Sequence, residues 1–456
     1  MSVYTSLCSS VLFPLHERLK HHDSVAVRKR LEEQERWPRE KLEQWRVNKL
    51  RQFLLEVNER VPYYRDLFKR LDFHPHALKS IADLQALPLN DKASMRAAGE
   101  GLKAEGAQNL SRYNTGGSSG EPLIFYIGKG RKSHDVGAKW RVTRWWGVDI
   151  GDPEIVVWGS PIELGAQDRV RMVRDAVLRT ELLPAFEMSE ANLDRFVETI
   201  RVKRPTMLFG YPSSLSLIAA HARKKGIRLD AQGIKVVFVT SERLYDEQRA
   251  TITQVFGARV ANGYGARDAG FIAHQCPAGG MHLQAEDIIV EIVGPDGQVL
   301  PPGQAGEIVV THTATADFPF IRYRTGDVAV MSAPDEVCGC GRSLPMLKEI
   351  QGRTTDFVLA ADGTIMHGLA LIYTVRDVPG VERFKIIQHS LDHTEVLLVT
   401  NPQFSEAGAA RIVADYKARL GAGVQVSLTQ VDEIPREASG KFRYVVSKVQ
   451  AGAPRA

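Results

Sequence analysis

Three apolar runs in the middle of the chain restrict its fold more than any other feature. Glu154-Ile-Val-Val-Trp-Gly159 and Thr206-Met-Leu-Phe-Gly210 each end at a glycine. Ile234-Lys-Val-Val-Phe-Val-Thr240 follows an apolar-periodic helix expected over residues 213–225. Strand, helix and strand at this spacing make the βαβ unit of a parallel sheet, whose strands are buried on both faces. Ligands of such sheets sit beyond the carboxyl ends of the strands. That places Gly210-Tyr211-Pro212, Thr240-Ser241-Glu242-Arg243 and Asn262-Gly263-Tyr264-Gly265 on one rim.

The rest of the chain reads differently on either side of this unit. Residues 17 to about 70 mix Glu, Arg, Lys and Leu at helical spacing, with Leu42, Trp45, Leu50, Phe53, Leu54 and Val57 on one stripe. Val61-Pro-Tyr-Tyr-Arg65 breaks that helix, and the helical segment extends to about residue 100. From Glu286 onward the texture turns to hairpins, with Ile288-Ile-Val-Glu-Ile-Val293 and Gly306-Glu-Ile-Val-Val-Thr311 flanking Pro295-Asp-Gly297. The last stretch alternates strand, helix, strand, strand, helix and strand, enough for a small α+β domain of about 100 residues. A chain of 456 residues is too long for one ordinary core. The expected fold class is therefore α/β. A large N-terminal domain over 1–352 has helix-flanked mixed and parallel sheets and a β-rich subdomain, and a small α+β domain covers 353–456.

Composition narrows the classes of function. With 59 Lys+Arg against 54 Asp+Glu the net charge is +5, and no long basic block speaks for nucleic acid. No apolar run approaches about 18 residues, so neither a transmembrane helix nor a membrane partner is expected. The short patch Val11-Leu-Phe-Pro-Leu15 lacks preceding basic residues and does not read as a signal peptide. Four cysteines do not make a disulfide framework in a chain this long, which points to a reducing cytoplasm. The charged N-terminal helices offer a surface through which two copies could pair.

Two local clusters carry chemistry. In Thr115-Gly116-Gly117-Ser118-Ser119-Gly120, three glycines and three hydroxyls fall within six residues, followed by Glu121-Pro122-Leu123. Backbone amides freed by glycine can turn toward an anion, and hydroxyls add donors, although the Walker pattern is absent. The second cluster is His274-x-Cys276 with Cys338-x-Cys340, a Cys₃His set of the kind that closes around structural Zn²⁺. His282 competes with His274 for the fourth place, and buried unligated thiols are the alternative. Trp140, Trp145 and Trp146 lie close together as core or as the floor of a pocket.

Four stretches in order, 115–123, 262–268, 323–327 and 435–441, resemble the motifs of the adenylate-forming superfamily of acyl-CoA synthetases. Val61-Pro-Tyr-Tyr-Arg-Asp-Leu-Phe68, Phe320-Ile-Arg-Tyr-Arg-Thr-Gly-Asp327 and Cys338-Gly-Cys-Gly-Arg342 are similar to its phenylacetate–CoA ligase and CapK-like branch. The resemblance implies two half-reactions. A carboxylic acid, aryl or aryl-like, attacks the α-phosphate of ATP to give acyl-adenylate and pyrophosphate. Coenzyme A then displaces AMP, after the small C-terminal domain has rotated. An amine or hydroxyl acceptor in place of coenzyme A is the second reading, and a non-catalytic nucleotide-binding scaffold is the third.

Residue roles follow from the same resemblance. Residues 115–120 would hold the pyrophosphate leaving group, although Leu123 stands where many relatives have lysine, so one cation is missing. Asp268 in Tyr264-Gly265-Ala-Arg-Asp268 takes the place of a glutamate that ligates Mg²⁺. Direct ligation, a water-mediated contact and an Arg267 salt bridge stay open. Asn262, Gly263, Tyr264 and Gly265 would line the adenine and acyl sites, with Ser241, Glu242 and Arg243 against the adenine face. Asp327 would accept from the vicinal ribose hydroxyls. Arg353, in Gly352-Arg-Thr-Thr-Asp356, matches the hinge motif, whose arginine approaches ribose or phosphate. Lys441, in Pro435-Arg-Glu-Ala-Ser-Gly-Lys441, matches the lysine of the adenylation step.

Overall fold

The computed structural model describes residues 2–115, 123–158, 169–185, 188–242, 244–294, 296–350, 357–434 and 445–449. An eleven-stranded sheet runs through the large part of the molecule. Its parallel half uses β3 (Glu154–Trp158), β4 (Thr180–Pro184), β5 (Met207–Gly210), β6 (Val236–Thr240) and β7 (Arg259–Ala266), in the order β4-β3-β5-β6-β7. A separate hairpin, β1 (Ser111–Asn114) with β2 (Ile124–Ile127), precedes them.

Strand periodicity explains why this half is buried twice over. In β6, Val237 and Val239 enter one core with Leu208, Ile155 and the helices Glu190–Lys203, Pro212–Lys224 and Asp246–Phe256. Val236 and Phe238, on the opposite face, pack with Met207 and Val142, the latter from the helix Lys129–Arg144. Alternate side chains of one strand thus fill two layers. The expected βαβ unit forms as read. β4 escaped sequence reading because Thr180-Glu-Leu-Leu-Pro184 is an edge strand, mixed in polarity and closed by a proline.

At β7 the sheet changes direction: the strand is parallel to β6 and antiparallel to β8 (Gly270–Gln275). Beyond it lie β9 (Met281–Leu283), β10 (Ile288–Val293), β11 (Ala305–His312), β12 (Tyr323–Met331) and β13 (Met346–Ile350), in the order β8-β9-β13-β12-β11-β10. The β-rich part expected after Glu286 is thus the antiparallel half of the same sheet. Its hairpin pairs Ile288 with His312 and Val293 with Glu307.

The helix Arg39–Arg60 buries Leu42, Leu50, Phe53, Leu54 and Val57, the stripe read from the sequence. Val61 ends it, but Pro62 at the first helical position starts a new helix, Pro62–Arg70, at once. These helices share a core with Leu123 and Phe125 of the β1–β2 hairpin and with Phe320, Ile321 and Tyr323. Trp140 is a core residue, and Trp145 and Trp146 are partly buried against the core. Trp140 donates to Asp149, Trp145 to Glu35 at 2.8 Å and Trp146 to the Gln275 carbonyl at 3.1 Å.

Near the end of the chain a four-stranded sheet stands on its own core. It contains β16 (Val381–Gln388), β17 (His393–Thr400), β18 (Gln425–Gln430) and β19 (Val445–Ser447), after the small hairpin β14 (Phe357–Leu359) and β15 (Ile365–His367). The helices Leu369–Arg376 and Glu406–Leu420 pack there, the second capped by Ser405, whose hydroxyl accepts from the Gly408 N–H at 3.2 Å.

Candidate active site

The rim expected from the sequence is assembled at the carboxyl ends of β5, β6 and β7. Tyr211 is buried and stacks on Trp158 at 4.5 Å between ring centroids. Ser241 follows β6 with φ +73°, a conformation L residues rarely hold. The Glu242 carboxylate accepts from the Ser213 N–H at 3.3 Å, at the N-terminal turn of the helix Pro212–Lys224. Thr240 and Gly263 are register partners, so the ends of β6 and β7 are level. The Asn262 N–H donates to the Gln275 side chain at 3.1 Å. At Gly265 an added Cβ would lie 2.4 Å from the Gly270 carbonyl oxygen, so the β7–β8 turn closes only around glycine.

That turn carries Asp268 to the start of β12. Asp268 is buried; one oxygen accepts from the Tyr323 hydroxyl at 2.6 Å and the other from the Ala269 N–H at 3.0 Å. Four residues further along, Asp327 lies in a bulge. Val309 pairs with Arg324 and Glu307 with Val328, so Thr325, Gly326 and Asp327 stand opposite a single residue. Gly326 has φ +78° there. The Tyr264 hydroxyl donates to Asp327 at 3.0 Å, and the Asp327 N–H donates to Thr325 Oγ1 at 3.2 Å. The bulge, rather than a simple turn after Gly326, presents this half-buried carboxylate.

The glycine loop is represented by its base. The Thr115 N–H donates to the Leu123 carbonyl at 3.0 Å, and its hydroxyl accepts from the Leu123 N–H at 2.9 Å. Gly116, Gly117, Ser118, Ser119, Gly120, Arg243, Arg353 and Lys441 lie outside the described residues.

Sequence reasoning missed a buried charged network beneath the β7–β8 turn. Arg131 donates to the Asp268 carbonyl at 3.2 Å and is paired with Asp135 at 3.0 Å. His134 lies between Asp135 at 3.5 Å and Asp287 at 3.4 Å, and its ring meets His312 edge-on at 4.9 Å. Burial pulls the His134 pKa down, but hydrogen bonds and charge from Asp135 and Asp287 outweigh it and leave it raised. Burial would raise Asp287; His134 and Arg30 more than reverse this, holding the carboxyl below its usual range. Burial and the Arg131 charge press His312 well below the ordinary histidine range. The sequence signal was the helix Lys129–Arg144 itself, which mixes arginine, histidine and aspartate where an apolar face would be expected.

The second cluster forms, with one correction. Donor atoms of Cys276, His282, Cys338 and Cys340 all lie within 4.8 Å of one another. The Cys276 and Cys338 sulfurs are 3.5 Å apart, too far for a disulfide, and Cys340 Sγ is 3.2 Å from His282 Nε2. His282 Nδ1 lies 3.2 Å from the Leu344 carbonyl, an acceptor that fixes Nδ1 as the protonated nitrogen and turns the Nε2 lone pair to the sulfurs. His274, named first from the sequence, is not the fourth donor. It pairs with His282 across β8 and β9, but its ring sits between Phe238 at 6.0 Å and Phe271 at 5.4 Å, one strand further in. Burial pushes Cys276 up to about 12, and a hydrogen bond with Cys338 adds to it. Gly280 lets the turn close: a Cβ there would lie 2.7 Å from Cys338 Sγ. A tetrahedral zinc centre with Zn–S bonds of about 2.3 Å spaces its sulfurs by about 3.8 Å, so the donor set and spacing fit that ion.

A cleft of about 490 Å³ borders both sites, lined by Asn262 on one side and Cys338 on the other, with Met281, Glu336 and Lys348 between.

Comparison with known proteins agrees with this geometry. Residues 182–317 match the model of the AMP-binding enzyme family, and residues 358–448 match the CapK C-terminal domain. Phenylacetate-coenzyme A ligase of Thermus thermophilus is 25% identical over 447 residues, covering 91% of this chain and 98% of that protein. Protein CapK of Staphylococcus aureus is 21% identical over 402 residues, covering 88% of each. The fold is shared with 2-hydroxyisobutyryl-CoA ligase crystallised with 2-HIB-AMP and CoA, at a TM-score of 0.64 and 22% identity over 91% of both chains. The chain thus carries an AMP-binding enzyme region and a CapK C-terminal domain, and over about nine-tenths of its length it is similar to phenylacetate-coenzyme A ligase and to CapK.

Proposed function

We propose that the protein is an AMP-forming acid–CoA ligase acting on an aryl or aryl-like carboxylic acid. One observation carries the reading: three motif segments remote in sequence meet in one place. Asp268 is bonded to Tyr323 across 55 positions, Tyr264 to Asp327 across 63, and Leu123 at the base of the glycine loop shares a core with Tyr323.

In the first half-reaction a carboxylate oxygen of the acid bonds to the α-phosphorus of ATP. The bond to the β-phosphate oxygen breaks, and pyrophosphate leaves with the electron pair. Residues 115–120 would offer amides and hydroxyls to that leaving group. Asp327, oriented by Tyr264, would accept from both ribose hydroxyls. Lys441 would align the carboxylate with the α-phosphate and offset the charge developing there, while Arg353 approaches ribose or phosphate. Asn262, Gly263 and Gly265 would line the adenine and acyl sites beside Ser241, Glu242 and Arg243. Mg²⁺ supplies neutralisation of the triphosphate. Asp268 would meet it directly or through water, on the lone pairs that its two hydrogen bonds leave available.

In the second half-reaction the coenzyme A sulfur bonds to the acyl carbon, and the carbon–oxygen bond to AMP breaks. Rotation of a small domain, from about residue 353 onward, would withdraw Lys441 between the two steps. Cys276, His282, Cys338 and Cys340 would hold a structural Zn²⁺, a closed set with no position for substrate. Burial disfavours the Cys276 thiolate, and a dication bound beside it would stabilise it. Free thiols in such a centre suit the cytoplasm. No helix among the described residues is long and apolar enough to cross a membrane.

The test is exchange of labelled pyrophosphate into ATP. It should require a carboxylic acid from an aryl panel; exchange that no acid stimulates would leave a nucleotide-binding scaffold.

A further inference from the structure

A helical rod at the start of the described chain has a face that the proposed ligase reaction does not use. Val3–Leu7 is α-helical, Cys8–Leu12 is a π turn, and Phe13–Leu19 is α-helical again. One side is anchored, with Thr5, Cys8, Phe13 and Glu17 buried. The Thr5 hydroxyl donates to Asp152 at 2.8 Å, and Gly151 leaves no room beside Cys8, since a Cβ there would lie 2.3 Å from the Cys8 Cβ.

The other side is an aliphatic stripe at every fourth residue. Val3, Leu7, Val11, Leu15 and Leu19 are 89, 45, 52, 54 and 74% exposed. In a pure α-helix with 3.6 residues per turn, steps of four drift by about 40° each. The π turn is wider, so its steps drift the opposite way and bring Leu15 and Leu19 back into line with Val3 and Leu7. The helix Arg169–Leu178 lies alongside, held by a 2.7 Å hydrogen bond from the Tyr4 hydroxyl to the Val177 carbonyl, and exposes Met172 and Val173. Together these side chains expose on the order of 700 Å² of apolar surface, more than the about 300–600 Å² usual for the largest patch of a monomer.

Charge selects the occupant. Arg18 and Lys20 are exposed at one end of the rod, and the Arg179 guanidinium lies 5.4 Å from the Tyr4 ring at the other. Glu17 is the only acid between Ser2 and Lys20, and it is buried. Two-fold antiparallel pairing with a second copy would bring Arg18 and Lys20 of each rod over Arg179 of its partner, like charge against like. A docked helix needs a groove to seat in, whereas these side chains project from the surface. We propose that the rod Val3–Leu19, with the helix Arg169–Leu178 beside it, docks the protein on an anionic lipid surface. A rod of this length, about 25 Å, lies flat with its aliphatic side chains in the headgroup boundary and its basic ends over lipid phosphates.

The test is co-flotation of the full chain with vesicles of phosphatidylcholine alone or mixed with phosphatidylglycerol. The wild type should float with the anionic vesicles and lose binding as salt is raised. Leu7→Gln with Leu15→Gln should weaken that binding by about 10-fold or more, with unchanged melting temperature and pyrophosphate exchange. Val3→Ser with Leu19→Gln, at the two most exposed positions, should do the same and guards against a folding artefact. Absence of flotation, or equal flotation of wild type and both variants, would overturn the proposal. Light scattering that shows a dimer converted to monomer by the substitutions, with vesicle binding unaltered, would assign the face to self-association instead.

Discussion

The Tyr264 hydroxyl donates to an Asp327 carboxylate oxygen at 3.0 Å, joining the strand where the sheet changes direction to a bulge in the antiparallel half. Sequence spacing set each residue in its own motif; only the fold makes one the orienting partner of the other. A carboxylate oriented by Tyr264 is a suitable acceptor for a vicinal diol. Asp327→Asn should therefore raise the KM for ATP by roughly 10- to 100-fold, and Tyr264→Phe by a smaller factor. Steady-state kinetics against ATP would read both; an unchanged KM in Asp327→Asn would remove the ribose role.

Lys441 is assigned to one half-reaction only. Lys441→Ala should slow adenylation by on the order of 100-fold or more while leaving thioester formation from preformed acyl-adenylate largely intact. Equal losses in both halves would refute the assignment.

The proposed zinc site takes His282 and not His274, a sharp contrast between two neighbours on adjoining strands. Elemental analysis should find stoichiometric zinc in the wild type and in His274→Gln, and little in His282→Ala or Cys338→Ser. Stability should fall with the metal. A folded, zinc-free wild type would discard the centre.

His134 offers a pH test of the buried network. Its folded pKa is raised, so its contribution is full below the unfolded value of about 6.5 and fades as pH rises through the folded value. His134→Gln should thus cost more stability near pH 6 than near pH 9. Denaturant melts at both values would show it; a cost independent of pH would mean that folding leaves the His134 pKa unchanged, and a larger cost near pH 9 that folding lowers it.

The sequence was most informative where one physical cause acts alone. The runs at Met207 and Val236 are buried on both faces and that at Glu154 on one, and Leu50, Phe53 and Leu54 form a plain helical stripe. It said little where tertiary contacts override local pattern. The edge strand at Thr180 lacks apolar alternation, and the helix Lys129–Arg144 buries arginine and histidine, which composition alone would place in water. The cysteine pairs were visible as pairs, but the choice between two histidines depended on strand order. Motif order located Asp327, whereas the bulge that presents it came from an unequal pairing of Glu307 and Val309 with β12.

AMP release from ATP, measured with a panel of aryl carboxylic acids in the presence and absence of coenzyme A, bears most directly on the proposed reaction. For at least one acid, AMP and acyl-CoA should accumulate in equal amounts, and without coenzyme A pyrophosphate should be released only once per enzyme while AMP stays bound in the adenylate. Turnover of AMP that ignores coenzyme A, with the acyl group passed to an amine or hydroxyl, would contradict it.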